Sequence, residues 1–255
     1  MFTETKNLLS EVAVKKVNFY KSGIIKYLIA SMWAGADVGF GIILIMTIGG
    51  LGSESNFPFT KMLMGLSFGI ALSLVIMAGS ELFTGNNMIL TVGALDKKVT
   101  WKDSANIWVW SFIGNAIGST LLGLLLSLTN AAATPTGAFI LKTAATKMNG
   151  DFIPLLVNGI LCNLLVCLAV LCSIKMKSES GKLIMVFWCL FAFITSGFEH
   201  SVANMTIFAT ALFMPHPETV SLMGVFQNMI PVTLGNFIGG ALLLGASYFY
   251  MGKES

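Results

Sequence analysis

Residues 196–205 read SGFEHSVANM, which sets Glu199 and His200 side by side inside a long apolar stretch. If that stretch crosses a bilayer, each ionisable group costs several kcal/mol or must find a partner, so the pair marks either chemistry or a structural plug. A histidine changes charge near physiological pH and can donate or accept a proton. In a narrow passage His200 would face the solute while Glu199, turned away, ties down exposed backbone amides. The plainer reading is an ion pair or hydrogen-bonded plug that holds a helix break together. A second stretch, GSELFTGNNM at 79–88, carries Glu81 in the equivalent place with no histidine after it. There Leu82 and Phe83 bring bulk, and Thr84 brings a hydroxyl that either faces the pathway or caps the helix that follows. His216 falls in the loop MPHPET, where a solvated side chain is the default.

The elements that must hold these groups are membrane spans. Of 255 residues, 55% are hydrophobic and 11% charged, with a mean hydropathy of +0.82; a soluble domain carries about a quarter charged residues. Six apolar segments run over 24–51, 62–95, 104–129, 152–174, 183–214 and 221–250, joined by short polar loops. Residues 1–22 are too polar to span. Leu9, Ala13, Val17 and Tyr20 recur there at helical spacing, which suits an amphipathic helix lying in the membrane interface or packed under the bundle. All fifteen basic residues are lysine, and they sit in loops rather than on one helical face, so nucleic acid is not a partner. No charged-then-apolar leader ending in a small-residue cleavage site is present, so no removed signal peptide is expected. Placing the N-terminus in the cytoplasm leaves only Lys61, Lys142 and Lys147 outside, and the positive-inside rule then puts both termini inside. Cys162, Cys167, Cys172 and Cys189 all lie in apolar spans at spacings that match neither a metal site nor a redox pair, and read as small core residues.

Segments 62–95 and 183–214 would make straight helices of about 50 Å, too long for a hydrocarbon core of about 30 Å. Each carries its polar interruption partway along, so both read as broken helices, a form that survives at depth only where protein or a wet cavity surrounds it. The interruptions match as Gly79, Glu81, Asn87, Met88 against Gly197, Glu199, Asn204, Met205. GNAIGSTLL at 114–122 likewise matches GNFIGGALL at 235–243. A shared offset of about 120 residues indicates an internal duplication of a three-span unit, with repeat one over 23–130 and repeat two over 150–250 of a single transmembrane domain, 23–255. An odd number of spans inverts one copy relative to the other, and matching broken helices in inverted halves point to a transport site. Half-helices beginning near Asn87 and Asn204 would turn positive dipole ends toward the membrane centre, favouring anions. The two loops lack the carboxylate or carbonyl density of a cation filter. Three membrane acids, Asp37, Glu81 and Glu199, are few for a proton-driven relay, and Asp37, in WAGADVGFG, is given no role.

The stretches ELFTGNN, GILCNLLVCLAV, GFEHSVANM and NMIPVTLGNFIGG together resemble the formate/nitrite transporter family, over essentially the whole chain. The resemblance implies an all-α polytopic membrane protein with six transmembrane helices in an inverted 3+3 repeat, aquaporin-like, with broken second and fifth helices. It also implies a homopentamer in the plasma membrane of a bacterium. One pore per protomer would carry small monovalent anions or their conjugate acids (formate, nitrite, hydrosulfide), and the pattern looks closest to the hydrosulfide-channel branch. By the same resemblance His200 is the central pore histidine, Glu199 its supporting glutamate, and Leu82–Thr84 a mobile loop facing it. Phe68, Leu72, Leu82, Val166 and Phe193 look like two apolar constrictions. Lys147 corresponds to a vestibule lysine, and Asn163 and Asn204 to asparagines near the lysine and histidine. Glu81 stands where formate-channel members can carry aspartate, which leaves the packing of that loop open.

Competing readings are weaker. A neutral-solute channel of the aquaglyceroporin type would need Asn-Pro-Ala caps and an arginine filter, and the chain has no arginine. A membrane enzyme using Glu199 and His200 as an acid–base pair would need a nucleophile or metal set nearby, and only Thr84, Ser201 and isolated cysteines offer themselves. Neither the residues nor the resemblance imply a cofactor. A proton-coupled secondary transporter of formate or nitrite remains the alternative to a passive channel.

Overall fold

Every element of the computed structural model, which describes residues 2–253, is helical. Helix α1 (Phe2–Lys21) precedes the first long span, α2 (Ile24–Glu54). Helices α3 (Thr60–Ser67) and α4 (Gly69–Ala78) form one slightly jogged span, followed after a four-residue loop by the half-helix α5 (Phe83–Leu95). Helix α6 (Trp101–Ser127) completes the first half. The second half runs through α7 (Pro135–Met148), α8 (Phe152–Lys175), α9 (Glu179–Ser196), the half-helix α10 (Ser201–Phe213) and α11 (Leu222–Phe237). A π-helical segment (Ile238–Gly245) and α12 (Ala246–Met251) extend α11 into a single span. Six spans are long and apolar enough to cross a membrane, the shortest being α9 at 18 residues, or about 27 Å at 1.5 Å per residue. The two overlong apolar segments are broken where polar residues interrupt them, at 79–82 and 197–200.

Two helix crossings set the framework. A Cβ on Gly118 would strike Met32 O and one on Gly35 would strike Asn115 O, so α2 and α6 touch backbone to backbone. Gly235 and Gly239 do the same for α11 and its π extension against Leu156 and Ile160 of α8. Small residues at such crossings let helices approach where no hydrophobic effect drives them together. Large apolar side chains, among them Trp33, Phe40, Leu125 and Trp188, point outward, as a lipid-facing surface requires.

Helix α1 buries Leu9, Ala13 and Val17. Ala13 sits so close to Gly93 of α5 that a Cβ there would collide with it. Three ion pairs tie the helix down: Lys6–Asp96 at 2.9 Å, Lys16–Glu81 at 2.9 Å and Lys21–Asp103 at 3.0 Å. Of the two placements the sequence leaves open, packing against the bundle is the one observed; Met1 lies outside the described residues. Three of the cysteines are buried and Cys172 is half-buried, all as free thiols. Helix α7 was not expected from hydropathy. Its buried Gly137, Ile140, Ala144 and Met148 make one face, while Lys142 and Lys147 keep the segment too polar for a span.

Candidate functional site

Both breaks are built alike. Gly79 (φ 76°) and Gly197 (φ 83°) end α4 and α9 in the left-handed region, where a residue without Cβ is favoured. The chain then runs extended to Leu82 and His200, the N-caps of α5 and α10. The half-helices therefore begin at Phe83 and Ser201, three to four residues before the asparagines from which the sequence reading started them. Asparagine is a favoured cap, but here the cap positions fall to a leucine and a histidine.

The exposed backbone of each loop is closed by one buried asparagine from a span. Asn115 Oδ1 accepts from Phe83 N–H at 2.9 Å, while its Nδ2 donates to Glu81 O at 2.9 Å and Ser31 O at 2.7 Å. Asn236 Oδ1 accepts from Ser201 N–H at 2.9 Å, while its Nδ2 donates to Glu199 O at 2.9 Å and Gly159 O at 2.8 Å. Glu81 N–H and Glu199 N–H reach Ala30 O and Asn158 O at 3.2 and 3.3 Å. At membrane depth each of these groups would be costly unpaired. This corrects the expectation that Glu199 ties down backbone amides; the asparagines do so.

The two glutamates instead hold lysines. Lys16 Nζ lies 2.9 Å from both oxygens of Glu81, which also accepts from Tyr27 OH at 3.1 Å and Asn86 Nδ2 at 3.2 Å. Lys147 Nζ lies 2.6 Å from Glu199 Oε1, and Asn204 Nδ2 donates to Oε2 at 2.7 Å. Asn204 also donates to Asn228 Oδ1 at 2.8 Å, and Asn228 Nδ2 donates to Lys147 O at 2.9 Å. Glu199 thus pairs with Lys147, fifty-two residues away in sequence, and not with its neighbour His200.

His200 is 4% exposed and turns to the other loop. Its Nδ1 accepts from Ala203 N–H at 3.1 Å, capping α10. In the neutral ring this assigns the proton to Nε2, 3.0 Å from Thr84 Oγ1. Thr84 Oγ1 then accepts, leaving its own hydroxyl hydrogen free to donate. Thr84 is the second residue of α5, whose N-cap, Leu82, makes no side-chain cap bond, so the capping role is not the one seen. The Thr84 carbonyl is held by Asn163 Nδ2 at 3.3 Å and the Cys167 thiol at 3.4 Å, and Asn163 also donates to Asn236 O at 2.6 Å. The positive ends of α5 and α10 meet at this Thr84–His200 contact, where a negative charge is favoured. His216, by contrast, is exposed, 3.2 Å from Pro217 O.

Three cavities stand in series. One of about 600 Å³, lined by Lys61, Lys142, Lys147 and Glu199, ends on Phe193 and His200. Another of about 470 Å³, lined by Lys15, Lys16 and Glu81, ends on Leu72 and Leu82. Between them lies a space of about 10 Å³ walled by Phe68, Leu72, Leu82, Val166, Phe193 and His200, enough for about one water molecule. The Phe68 and Phe193 rings meet edge to face at 5.4 Å and 85° on its Lys147 side. The structure therefore brings together His200, Thr84 and all five expected constriction residues. Glu81, Glu199, Lys147, Asn163 and Asn204 stand behind or beside them. Asn115 and Asn236 were missed as site-building residues, although both lie in the matched GNAIG and GNFIG stretches; a polar residue repeated at membrane depth was the available signal. Among the described residues, no group of three or more His, Cys, Asp or Glu side chains is placed to hold a metal ion.

Comparison with known proteins places this geometry. The model of the formate/nitrite transporter family matches residues 3–250. The chain is 40% identical to the nitrite transporter NirC of Escherichia coli (strain K12), over 98% of this chain and 92% of that protein. It is 37% identical to the uncharacterized transporter YwcJ of Bacillus subtilis (strain 168) over the full length of both. A solved FNT family ion channel superposes with a TM-score of 0.91 at 37% identity, covering 98% of this chain and 99% of that one. A pentameric formate channel with formate bound superposes with a TM-score of 0.78 at 25% identity, covering 91% and 98%. The chain belongs to the formate/nitrite transporter family.

Proposed function

We propose that each protomer is a channel for small monovalent anions or their conjugate acids, with nitrite, formate and hydrosulfide as the solutes, and that five protomers assemble in a bacterial plasma membrane with both termini cytoplasmic. The observation that carries this reading is the series of two lysine-lined cavities separated by a narrow apolar slit with His200 in its wall, its ring hydrogen-bonded to Thr84. In each wide cavity lysines outnumber carboxylates among the lining residues, a balance that concentrates anions and repels cations. Phenylalanine and leucine offer a bare anion nothing in place of its water. The Thr84 hydroxyl, polarised by His200 Nε2–H at 3.0 Å, supplies one hydrogen bond there, and the two half-helix ends supply positive potential. A second proton on His200 would set Nδ1–H against Ala203 N–H, so the neutral ring is the one that fits the cap. A solute passes when the side chains of the slit, Leu82 foremost, swing aside.

Flux of nitrite, formate and hydrosulfide into proteoliposomes between pH 5 and 8, where a free imidazole titrates, tests the reading. Thr84→Val keeps the shape and removes the donor. A hydrogen bond to a charged group is worth about 1.5–3 kcal/mol, so flux should fall about tenfold to a hundredfold. Wild-type flux in Thr84→Val would refute the role of the hydroxyl. His200→Asn removes the Nε2–H that polarises the Thr84 hydroxyl and should lower flux across the whole pH range; wild-type flux in this variant would refute the role of the ring.

A further inference from the structure

Asp37 lies midway along α2 and is only 6% exposed. No described lysine pairs with it. A carboxyl at that depth is retained at a cost, and ordinarily has work to do. Its hydrogen bond comes from Ser80 Oγ, at 2.7 Å to Oδ2. Ser80 belongs to the loop that carries Leu82 into the slit, and Val38, next to Asp37, lines the same slit. The loop is open on one flank: nothing lies within 4 Å of the place a Cβ of Gly79 would occupy. Its ties are polar ones, from Lys16 to Glu81, from Asn115 to the backbone on either side of Leu82, and from Asp37 to Ser80. The last has no counterpart in the second half, where Phe198 stands in the place of Ser80. The first loop, the one that bears the blocking leucine, is thus pinned by a bond the other lacks.

We propose that Asp37 is a positioning residue for conduction: through Ser80 it holds the 79–82 loop with Leu82 across the slit, so that releasing this latch favours the open slit. The proposal rests on the channel reading above. A hydroxyl held by a carboxylate makes a short, strong bond, and the distance here is in that class. Its loss frees the loop on the side where packing already leaves space.

Nitrite flux into proteoliposomes tests the latch with Ser80→Ala, Ser80→Thr, Asp37→Asn and Leu82→Ala, each checked for assembly in detergent. Ser80→Ala should raise flux about tenfold, an increase that mere loss of structure would not produce. Ser80→Thr keeps the hydroxyl and should restore the low flux. The Ser80→Ala, Asp37→Asn double variant should conduct no faster than Ser80→Ala alone, because both act through one bond. Leu82→Ala should raise flux by itself and make Ser80→Ala silent. Increased flux in Leu82→Ala with unchanged or reduced flux in Ser80→Ala would overturn the latch and leave the channel reading standing. No increase in Leu82→Ala would overturn the slit, and the latch with it.

Discussion

Replacing Asn236 with alanine removes three hydrogen bonds with one side chain. Gly159 O lies within α8 and retains a helical partner, so its loss is cheap. Ser201 N–H and Glu199 O are at the mouth of a helix break, where Asn236 is the partner seen for each. Two orphaned backbone groups at about 1–3 kcal/mol each give about 2–6 kcal/mol. Hydrogen bonds measured inside membranes average about 0.6 kcal/mol and reach about 1.7, which draws the expectation to about 2–3 kcal/mol. In a chain of this size that lowers Tm by roughly 4–12 °C. Asn115→Ala should cost the same within about 1 kcal/mol, because it orphans Phe83 N–H and Glu81 O and spares Ser31 O within α2. Ser119→Ala, which removes a single bond to Gly35 O at 3.2 Å, should cost under about 1 kcal/mol and serves as the reference. Reversible unfolding in mixed micelles, followed by helical circular dichroism, reads all three. Asparagine variants within about 0.5 kcal/mol of wild type, or a cost confined to one of the two, would refute the idea that these side chains close the breaks.

Two further outcomes follow from the ion pairs. Glu199→Gln leaves the largely buried Lys147 ammonium unpaired and should destabilise by about 3–5 kcal/mol; combining it with Lys147→Met should recover part of that loss in the same unfolding assay, and strict additivity would refute the coupling. Outside the spans, burial pushes the Asp96 carboxyl up, but the hydrogen bond and the charge of Lys6 outweigh it and hold the group below the usual carboxylate range. A carboxyl lowered on folding stabilises above its unfolded pKa, about 3.9, and loses that contribution as pH falls through the lower folded value. Protection of α1 from protease should therefore weaken in that acid range for wild type, and Lys6→Ala should reduce the pH dependence to the part that the Lys21–Asp103 pair supplies.

Much of this arrangement is legible in the chain before any coordinates. Glycine and glutamate interrupting apolar runs at matched offsets locate where both breaks begin, while the half-helices start three to four residues before the asparagines expected to open them. The separation of Glu199 from His200 is legible too, since the glutamate recurs in both halves and the histidine does not. What escapes is long-range or lacks a local signature. The partner of Glu199 is Lys147 on α7, and hydropathy passes over that helix because lysines interleave its apolar face; Pro135 at its first turn was the usable signal. The start of α10 is hidden because a histidine is an unusual cap, and it acts as one here only because its other nitrogen is held by Thr84. The π-helical segment at 238–245 is set by packing against α5 and α8, not by residue type.

The lysines also bear on where a duplicated unit of the kind the sequence suggests would begin. A three-span repeat starting at residue 23 leaves α1 as an appendage, yet α1 supplies to Glu81 what α7 supplies to Glu199. Each of these helices directly precedes a long span, α2 or α8, and each sends two lysines into the cavity on its own side of the slit, one of them paired with the glutamate. The equivalence then has four members per half: a lysine helix, a span with a glycine crossing, a broken span bearing the glutamate, and a span bearing the closing asparagine. From either side of the slit the lining runs in the same order of lysine, paired glutamate and half-helix end. At the slit the halves diverge, one loop contributing Leu82 and the other His200. Electrostatic attraction is thus built symmetrically and the chemistry at the slit is not.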